Sequence, residues 1–220
     1  MKEKIIVALD VKTIKEVERL VNILSPHINI FKVGMELFYS CGPKIIEVIK
    51  KYDKEIFLDL KLYDIPNTVK NASTSLTRLG VLMFNVHASG GREMMKLALE
   101  GAEEESERLG ISRPKILGVT VLTSMETTEE QVLGLARLTK ESGLDGVIAS
   151  PLEITSIKQN IGDDFLVVTP GVRPKGAELG DQKRVATPEE AIKNGADYIV
   201  IGRPITKAKD PVKAVEEIKY

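Results

Sequence analysis

The sequence predicts an α/β protein that folds as one (β/α)8 barrel over residues 1–220. Three observations predict this fold. Short β-branched runs recur eight times, amphipathic segments with helix-capping residues separate them, and no linker or change of composition divides the chain. Strands that alternate with helices about every 25 to 30 residues form parallel sheets with helices on both faces, and eight such units close a barrel. A doubly wound open sheet is the alternative arrangement.

The elements follow from local signals taken in chain order. The predicted strands are IIVALD (5–10), IFKVG (30–34), EIFLDLK (55–61), FNVHA (84–88), KILGVTVL (115–122), GVIAS (146–150), FLVVTPG (165–171) and YIVIGR (198–203). A Thr followed three residues later by a Glu is typical of a helix start. Such pairs are Thr13 with Glu16, Thr127 with Glu130, and Thr187 with Glu190. Glycine is typical just past a helix end, which predicts ends at Gly80, Gly110, Gly143 and Gly195.

Composition narrows the possible functions. Apolar residues make up 43% of the chain, and the net charge of -1 provides no general electrostatic attraction to nucleic acid or to an anionic membrane. One cysteine, Cys41, and two histidines, His27 and His87, cannot build a disulfide framework or a Cys/His zinc site. Several enzyme classes are therefore excluded, and we expect neither a metal nor a nucleic-acid partner.

The N-terminus predicts a protein that is not exported. The segment MKEKIIVALD passes from charge directly into a short apolar run, without the apolar region and cleavage site of a secretory signal. The chain contains no run near the roughly 18 apolar residues that a membrane span needs. We therefore expect a cytoplasmic protein with no membrane partner.

Polar residues mark the ends of the predicted strands. In a barrel of this type the carboxyl ends of all the strands meet at one rim, which is where the chemistry takes place. In chain order these residues are Asp10, Lys32, Asp59, Lys61, His87, Thr123, Ser150, Arg173 and Arg203. The sequence therefore predicts a single polar site at the rim.

The third strand carries the most unusual pattern. Side chains alternate along a strand, so Asp59 and Lys61 share the inner face while the leucines at 58, 60 and 62 face the helices. An exposed ion pair worth about 0–1 kcal/mol is the simplest interpretation. However, the strand reads as buried on both faces, Asp64 follows closely, and Asp10 and Lys32 reach the same rim. Such an array keeps a lysine protonated, which suits a reaction that develops negative charge on carbon and then protonates it.

The stretch DLKLYDIPNT (59–68) resembles the signature of the orotidine 5'-monophosphate decarboxylases, barrel enzymes that make UMP in pyrimidine synthesis without a cofactor. The resemblance covers essentially the whole chain. Further motifs in the family's order are VALD (7–10), FKVGMELFY (31–39), NVHASGG (85–91), VTVLTS (119–124), SGLDGV (142–147), VTPGVRP (168–174), DQKRVATP (181–188) and IGRPIT (201–206).

The resemblance implies roles for the charged residues. Asp10 and Lys32 would bind the ribose hydroxyls, and Lys32 would also join the catalytic charge network. Asp59 would face the departing carboxylate, and Lys61 would protonate C6 of the pyrimidine. Because the family builds its site at a dimer interface, the resemblance also implies a homodimer in which three residues reach the neighbouring subunit's substrate. These residues are Asp64, Ile65 and Thr68, and the resemblance implies that Asp64 is also catalytic.

The remaining predicted site residues would contact the phosphate and the pyrimidine base of the substrate. Gly202 allows backbone N–H groups to approach an anion, and Arg203 can pair with it. About 17 residues, PGVRPKGAELGDQKRVA, follow the seventh strand and suggest a lid. By resemblance Arg173 and Gln182 contact the phosphate from this segment, and Thr123 contacts the pyrimidine edge.

Two other functions remain open from the sequence. Sugar-phosphate decarboxylases and aldolases of the same broader group share a D-x-K-x-x-D strand end but use magnesium to stabilise an enediolate. A non-catalytic protein that binds nucleotide phosphates could also use this scaffold. The segments 64–68 and 168–174 favour the nucleotide decarboxylase, because they match its motifs.

Overall fold

A computed structural model describes residues 4–174 and 186–218. The eight strands pair in parallel and in sequence order, and the last pairs with the first to close the barrel. They are β1 (Ile5–Ala8), β2 (Ile30–Gly34), β3 (Glu55–Leu62), β4 (Met83–His87), β5 (Lys115–Val119), β6 (Gly146–Ile148), β7 (Leu166–Thr169) and β8 (Tyr198–Ile201). The predicted (β/α)8, or TIM, barrel is confirmed. The extent of a single domain over residues 1–220 stays a prediction.

Helices connect the strands and cover the outside of the barrel. In the described ranges they are α1 (Ile14–Leu24), α2 (Met35–Cys41), α3 (Lys44–Lys50), α4 (Pro66–Arg78), α5 (Gly91–Leu109), α6 (Glu129–Glu141), α7 (Ile154–Ile161), α8 (Pro188–Lys193), α9 (Arg203–Thr206) and α10 (Pro211–Glu216). Within these same ranges, no helix combines the length and the apolar character that crossing a membrane would require.

Two of the three predicted helix starts are confirmed. The Thr13 hydroxyl accepts a hydrogen bond from the Glu16 N–H at the start of α1, and Thr187 forms a complete capping box with Glu190 at the start of α8. The third start is wrong by one residue, because Thr128 and Gln131 form the box of α6 instead of Thr127 and Glu130. The segment offers two threonines in succession, and in the structure Thr128 caps α6, whose residues Val132 and Ala136 are buried.

Apolar side chains fill the space on both sides of the sheet. An outer layer packs between the strands and the helices. An inner layer fills the barrel and consists of Ile6, Ala8, Ile30, Phe57, Met83, Leu117, Val119, Ile148, Val168 and Val200. Burying one of the larger of these side chains stabilises the fold by about 1.5–3 kcal/mol. Because the interior is filled in this way, space for a site is expected where the strands end.

The pairing of β3 with β4 is irregular near that end. The register shifts between Leu58 and Leu62, so that three residues of β3 face the single residue Asn85 of β4. Within this bulge Lys61 has a φ of 52°, a left-handed conformation that is uncommon for residues other than glycine. The expectation of a regular strand is therefore wrong at Lys61, although Asp59 and Lys61 still face the interior as predicted.

Candidate active site

A cavity of about 450 Å³ opens at the carboxyl ends of the strands. This volume lies in the range of ordinary ligand sites. The cavity brings together eight of the residues that the sequence analysis singles out, from six strand ends and the segments that follow them. These are Asp10, Lys32, Asp59, Lys61, Thr123, Arg173, Gly202 and Arg203. Seven of the nine residues predicted to converge on the rim thus line one cavity. His87 and Ser150 are absent from its described lining, and the Ser150 hydroxyl instead accepts a hydrogen bond from the Leu152 N–H.

Four charged side chains form an alternating chain across the cavity. The Lys32 ammonium lies 3.5 Å from Asp10 Oδ1 and 3.3 Å from Asp59 Oδ2. The Lys61 ammonium donates to Asp59 Oδ1 over 2.6 Å. Asp59 therefore lies between two ammonium groups, one on each carboxylate oxygen, and neighbouring charges along the chain have opposite signs.

The surroundings of Asp59 keep it ionised. Burial raises the pKa of its carboxyl group, but the charges of Lys32 and Lys61 and the hydrogen bonds from Lys61 and Asn85 outweigh burial, so the pKa lies below its usual value. A lowered pKa means that the carboxylate persists through neutral and mildly acidic pH. Asp59 can then accept hydrogen bonds and stabilise positive charge, but it cannot supply a proton in this range.

Lys61 is the more exposed residue of the ion pair that it forms with Asp59. Its side chain is 24% exposed, compared with 13% for Asp59. The backbone bulge at Lys61 directs the side chain over Asp59 and along the cavity wall. An ammonium group held in this way can both stabilise a negative charge in the cavity and donate a proton to it.

His87 supports the site from the end of β4. Its ring contacts the ring of Tyr63 edge to face, with 5.6 Å between centroids. Burial and the nearby Lys61 charge lower the pKa of the imidazole, and Asp59 opposes them only in part. His87 is consequently neutral at pH 7 and adds no further charge.

The residues assigned to a neighbouring subunit do not line the cavity of their own chain. Asp64, Ile65 and Thr68 are all exposed, and Asp64 Oδ1 accepts a hydrogen bond from the Ile65 N–H. Ile65 is 68% exposed, and Tyr39, in the helix that follows β2, is 73% exposed. Exposed large apolar side chains can mark association surfaces. The homodimer itself stays a prediction.

The opposite side of the cavity carries the residues predicted for phosphate. Arg173 is buried, and its guanidinium donates to the Val172 carbonyl. Gly202 leaves little space beside it, because a Cβ atom there would lie 3.1 Å from Asp10 Oδ2. Arg203 begins α9 directly afterwards. Gln182 lies outside the described residues, so its predicted contact is not tested.

The sequence analysis assigned no role to two residues at the site. Lys207, after α9, lines the cavity beside Arg203. Asn85, inside β4, is fully buried and hydrogen bonds to both Asp59 and the backbone of Lys61. The signal for Asn85 was a polar residue in an otherwise apolar strand. Across residues 4–174 and 186–218, no group of three or more His, Cys, Asp or Glu side chains is placed to hold a metal ion.

Comparison with known proteins identifies the family of the chain. The sequence model described as "Orotidine 5'-phosphate decarboxylase / HUMPS family" matches residues 3–218. Orotidine 5'-phosphate decarboxylase of Trichlorobacter lovleyi is 52% identical, and the match covers 99% of this chain and 94% of that protein. The protein of the same name from Moorella thermoacetica is 49% identical, with 99% and 91% covered.

Solved structures agree with the sequence matches. The crystal structure of orotidine 5'-phosphate decarboxylase from Lactobacillus acidophilus superposes with a TM-score of 0.87 at 44% identity, and the match covers 98% of this chain and 97% of that one. The family resemblance predicted from the charged strand end is confirmed. The chain belongs to the orotidine 5'-phosphate decarboxylase / HUMPS family of enzymes.

Proposed function

We propose that this enzyme decarboxylates orotidine 5'-monophosphate to UMP and carbon dioxide, the last step of de novo UMP synthesis. The observation that carries the proposal is the Lys61 ammonium, held 2.6 Å from an ionised Asp59 inside the cavity. The names of the relatives at about 50% identity support the same reaction. They also favour it over the sugar-phosphate reactions that the sequence left open.

The chemistry requires a cation and an acid at one place. When the bond from C6 to the carboxylate breaks, carbon dioxide leaves and the electron pair stays on C6, where resonance gives it little stabilisation. Lys61 provides a positive charge beside this pair and then transfers a proton from its ammonium to C6, which completes UMP. Water returns the proton to the Lys61 amine. No electron acceptor is needed, so the proposed reaction uses no cofactor and no metal.

The other charged residues hold the substrate and the lysine. Asp10 and Lys32 bind the ribose hydroxyls, while the Lys32 charge keeps Asp59 ionised. Asp59 lies where the substrate carboxylate enters, and its Oδ1 accepts the hydrogen bond that holds the Lys61 ammonium in place. The part of Asp59 in the reaction is therefore to position the Lys61 ammonium.

The phosphate and the base occupy the rest of the cavity. Arg173, Arg203 and the backbone at Gly202 bind the phosphate, together with Gln182, and Thr123 contacts the pyrimidine edge. Two guanidinium groups on the cavity wall suit a dianion, because they can form charge-assisted hydrogen bonds with it. Binding energy from this remote group is then available to position the pyrimidine against Lys61.

We also propose a homodimer in the cytoplasm. Asp64, Ile65 and Thr68 are exposed beside the cavity but do not line it, which fits a part in the partner's site. The exposed apolar side chains of Ile65 and Tyr39 supply apolar surface for the contact. Asp64 of each chain would then complete the charged array of the other.

Activity without metal is the first expected result. Loss of orotidine 5'-monophosphate absorbance should proceed at the same rate in buffer with EDTA as in buffer with magnesium, because Lys61 supplies the positive charge at C6. Activity that EDTA removes and magnesium restores, or turnover of a sugar phosphate instead, would indicate the magnesium-dependent group. Binding of UMP without any turnover would indicate a non-catalytic binding protein.

Substitution of Gly202 tests the ribose and phosphate side of the cavity. In Gly202→Ala the new Cβ would lie 3.1 Å from Asp10 Oδ2 and 3.4 Å from Ala8 Cβ, so the Asp10 carboxylate would have to shift by a few tenths of an ångström. We expect the KM for orotidine 5'-monophosphate to rise by at most roughly tenfold, the effect of one lost hydrogen bond to a charged group, with a much smaller change in kcat. Steady-state kinetics measure both constants.

Gly134→Ala is the matched control for this substitution. A Cβ at Gly134 of α6 meets no atom within 4 Å, so the KM should equal that of the parent. A KM that is unchanged in Gly202→Ala as well would contradict the expectation that crowding Asp10 weakens substrate binding.

A further inference from the structure

The side chain of Asn85 connects the two central residues of the site. It is fully buried in β4, and its carbonyl oxygen accepts a hydrogen bond from the backbone N–H of Lys61 over 2.7 Å. Its amide nitrogen donates to Asp59 Oδ1, also over 2.7 Å. Asn85 is absent from the described lining of the cavity, so any effect on the substrate must pass through Asp59 and Lys61.

The first hydrogen bond compensates for the bulge in β3. Because three residues of β3 face Asn85 alone, the regular ladder between the strands is interrupted there. The Lys61 N–H finds its partner in the side chain of Asn85 instead of in a backbone carbonyl. A buried N–H without a partner is costly, and Lys61 has the uncommon φ of 52° in addition. The Asn85 carbonyl thus stabilises the backbone conformation from which the Lys61 side chain starts.

The second hydrogen bond acts on the carboxylate. Asp59 Oδ1 accepts from both Asn85 and the Lys61 ammonium. The amide is a neutral donor, so it fixes the carboxylate without adding a third positive charge. It also cannot exchange a proton with Lys61. One amide therefore determines both ends of the ion pair: the backbone of the lysine and the oxygen to which its ammonium binds.

We propose that Asn85 is a positioning residue of the decarboxylation, which holds Lys61 and Asp59 in the geometry that places the ammonium group beside C6. This inference rests on the function proposed above and extends it to a residue outside the cavity. Misplacement of a reacting group by about 1 Å costs roughly 10²-fold in rate. Loss of Asn85 should slow the chemical step and leave substrate binding nearly unchanged, because the residues that bind ribose and phosphate lie elsewhere on the cavity wall.

The experiment compares Asn85→Ala with the parent enzyme. We expect kcat to fall about 10²-fold, while the KM and the dissociation constant of UMP, measured by calorimetry, stay within about threefold of the parent values. Thr77→Val is the matched control, since it removes a buried hydrogen bond, from Thr77 to the Ser73 carbonyl in α4, that is remote from the cavity. It should keep the parent's kcat.

The pH profile separates positioning from a merely structural effect. Asp59 is faced by Lys32 on β2, by Lys61 on β3 and by His87 and Asn85 on β4, with Asp10 beyond Lys32. The Asn85 hydrogen bond lowers the pKa of Asp59, so its loss raises that pKa. The acidic limb of the kcat profile of Asn85→Ala should consequently move to higher pH.

Asn85→Asp provides a second variant of nearly the same shape. It keeps an acceptor for the Lys61 N–H but places a carboxylate against Asp59, so one of the two takes up a proton more readily. We expect a reduced kcat and a larger upward shift of the acidic limb than in Asn85→Ala. This variant keeps the test decisive if Asn85→Ala does not fold.

The outcomes distinguish this inference from the proposed function. A folded parent that does not turn over orotidine 5'-monophosphate overturns the proposed function. An active parent with Asn85 variants that keep its kcat and its pH profile overturns the positioning part of Asn85 alone. A fall of kcat in Asn85→Ala that Thr77→Val reproduces would also overturn it, because general destabilisation would then explain the loss.

Discussion

Replacing Lys61 with alanine is expected to reduce kcat/KM for decarboxylation by about 10⁴-fold or more, because both the cation beside C6 and the proton donor are lost. The ion pair with Asp59, now 2.6 Å long, also disappears, so Asp59 faces the substrate carboxylate with one compensating charge fewer. The decrease in absorbance of orotidine 5'-monophosphate measures the rate directly. Binding of UMP by the variant would demonstrate that its cavity is intact.

Lys140→Ala serves as the control for Lys61→Ala. Lys140 lies on α6, where its ammonium is 3.3 Å from Asp164, and an exposed pair of this kind contributes little to stability. The control should therefore have parent kinetics. If Lys61→Ala retained activity within tenfold of the parent, the proton would have to come from another group and the proposed mechanism would be wrong.

Mixing two inactive variants should restore activity if the site is shared between subunits. Lys61→Ala and Asp64→Ala chains are each expected to be nearly inactive alone. In a mixed dimer one of the two sites contains both defects and the other contains neither. Random exchange at equal concentrations makes half of the dimers mixed, so about one quarter of all sites should be active. Activity after subunit exchange, verified with two affinity tags, is the measurement.

A second mixture tests whether recovery depends on sharing. Asp59 and Lys61 lie in contact within one chain, so every site in a Lys61→Ala and Asp59→Ala mixture is defective. That mixture should stay inactive. Absence of recovery in the first mixture, despite demonstrated exchange, would mean that Asp64 does not serve the partner's site.

The sequence predicted the barrel well because its signals are local and repeated. Each of the eight strands was expected within a few residues of where it lies, for example 30–34 for β2 and 198–203 for β8. The ends of α4 and α5 fall just before Gly80 and Gly110, which have positive φ angles. Parallel closure then carried Asp10, Lys32, Asp59 and Lys61 to one rim. Of the three helix starts predicted from capping residues, the one at α6 was wrong, where two threonines compete.

The details that depend on contacts between strands could not be predicted from the sequence. Strand alternation placed Lys61 on the inner face correctly, but it contains no information on the register against β4. The bulge and the hydrogen bonds of Asn85 arise from that register. Similarly, Lys207 lines the cavity directly after α9, a position that no motif indicated. The parts of Asp64, Ile65 and Thr68 depend on a second chain and lie beyond one barrel.

The bulge in β3 has a consequence for attempts to transplant this chemistry into another scaffold. Copying the side chains of Asp59 and Lys61 into a regular strand would reproduce their identities and spacing, but not the left-handed backbone at Lys61. The recipient would need a neighbouring strand in which a single residue faces three residues of the strand that carries the lysine. That single residue would also need a side-chain amide to accept a hydrogen bond from the backbone N–H of the lysine. A transplant would therefore have to include segments of both strands, because the backbone conformation is as necessary for the reaction as the lysine side chain.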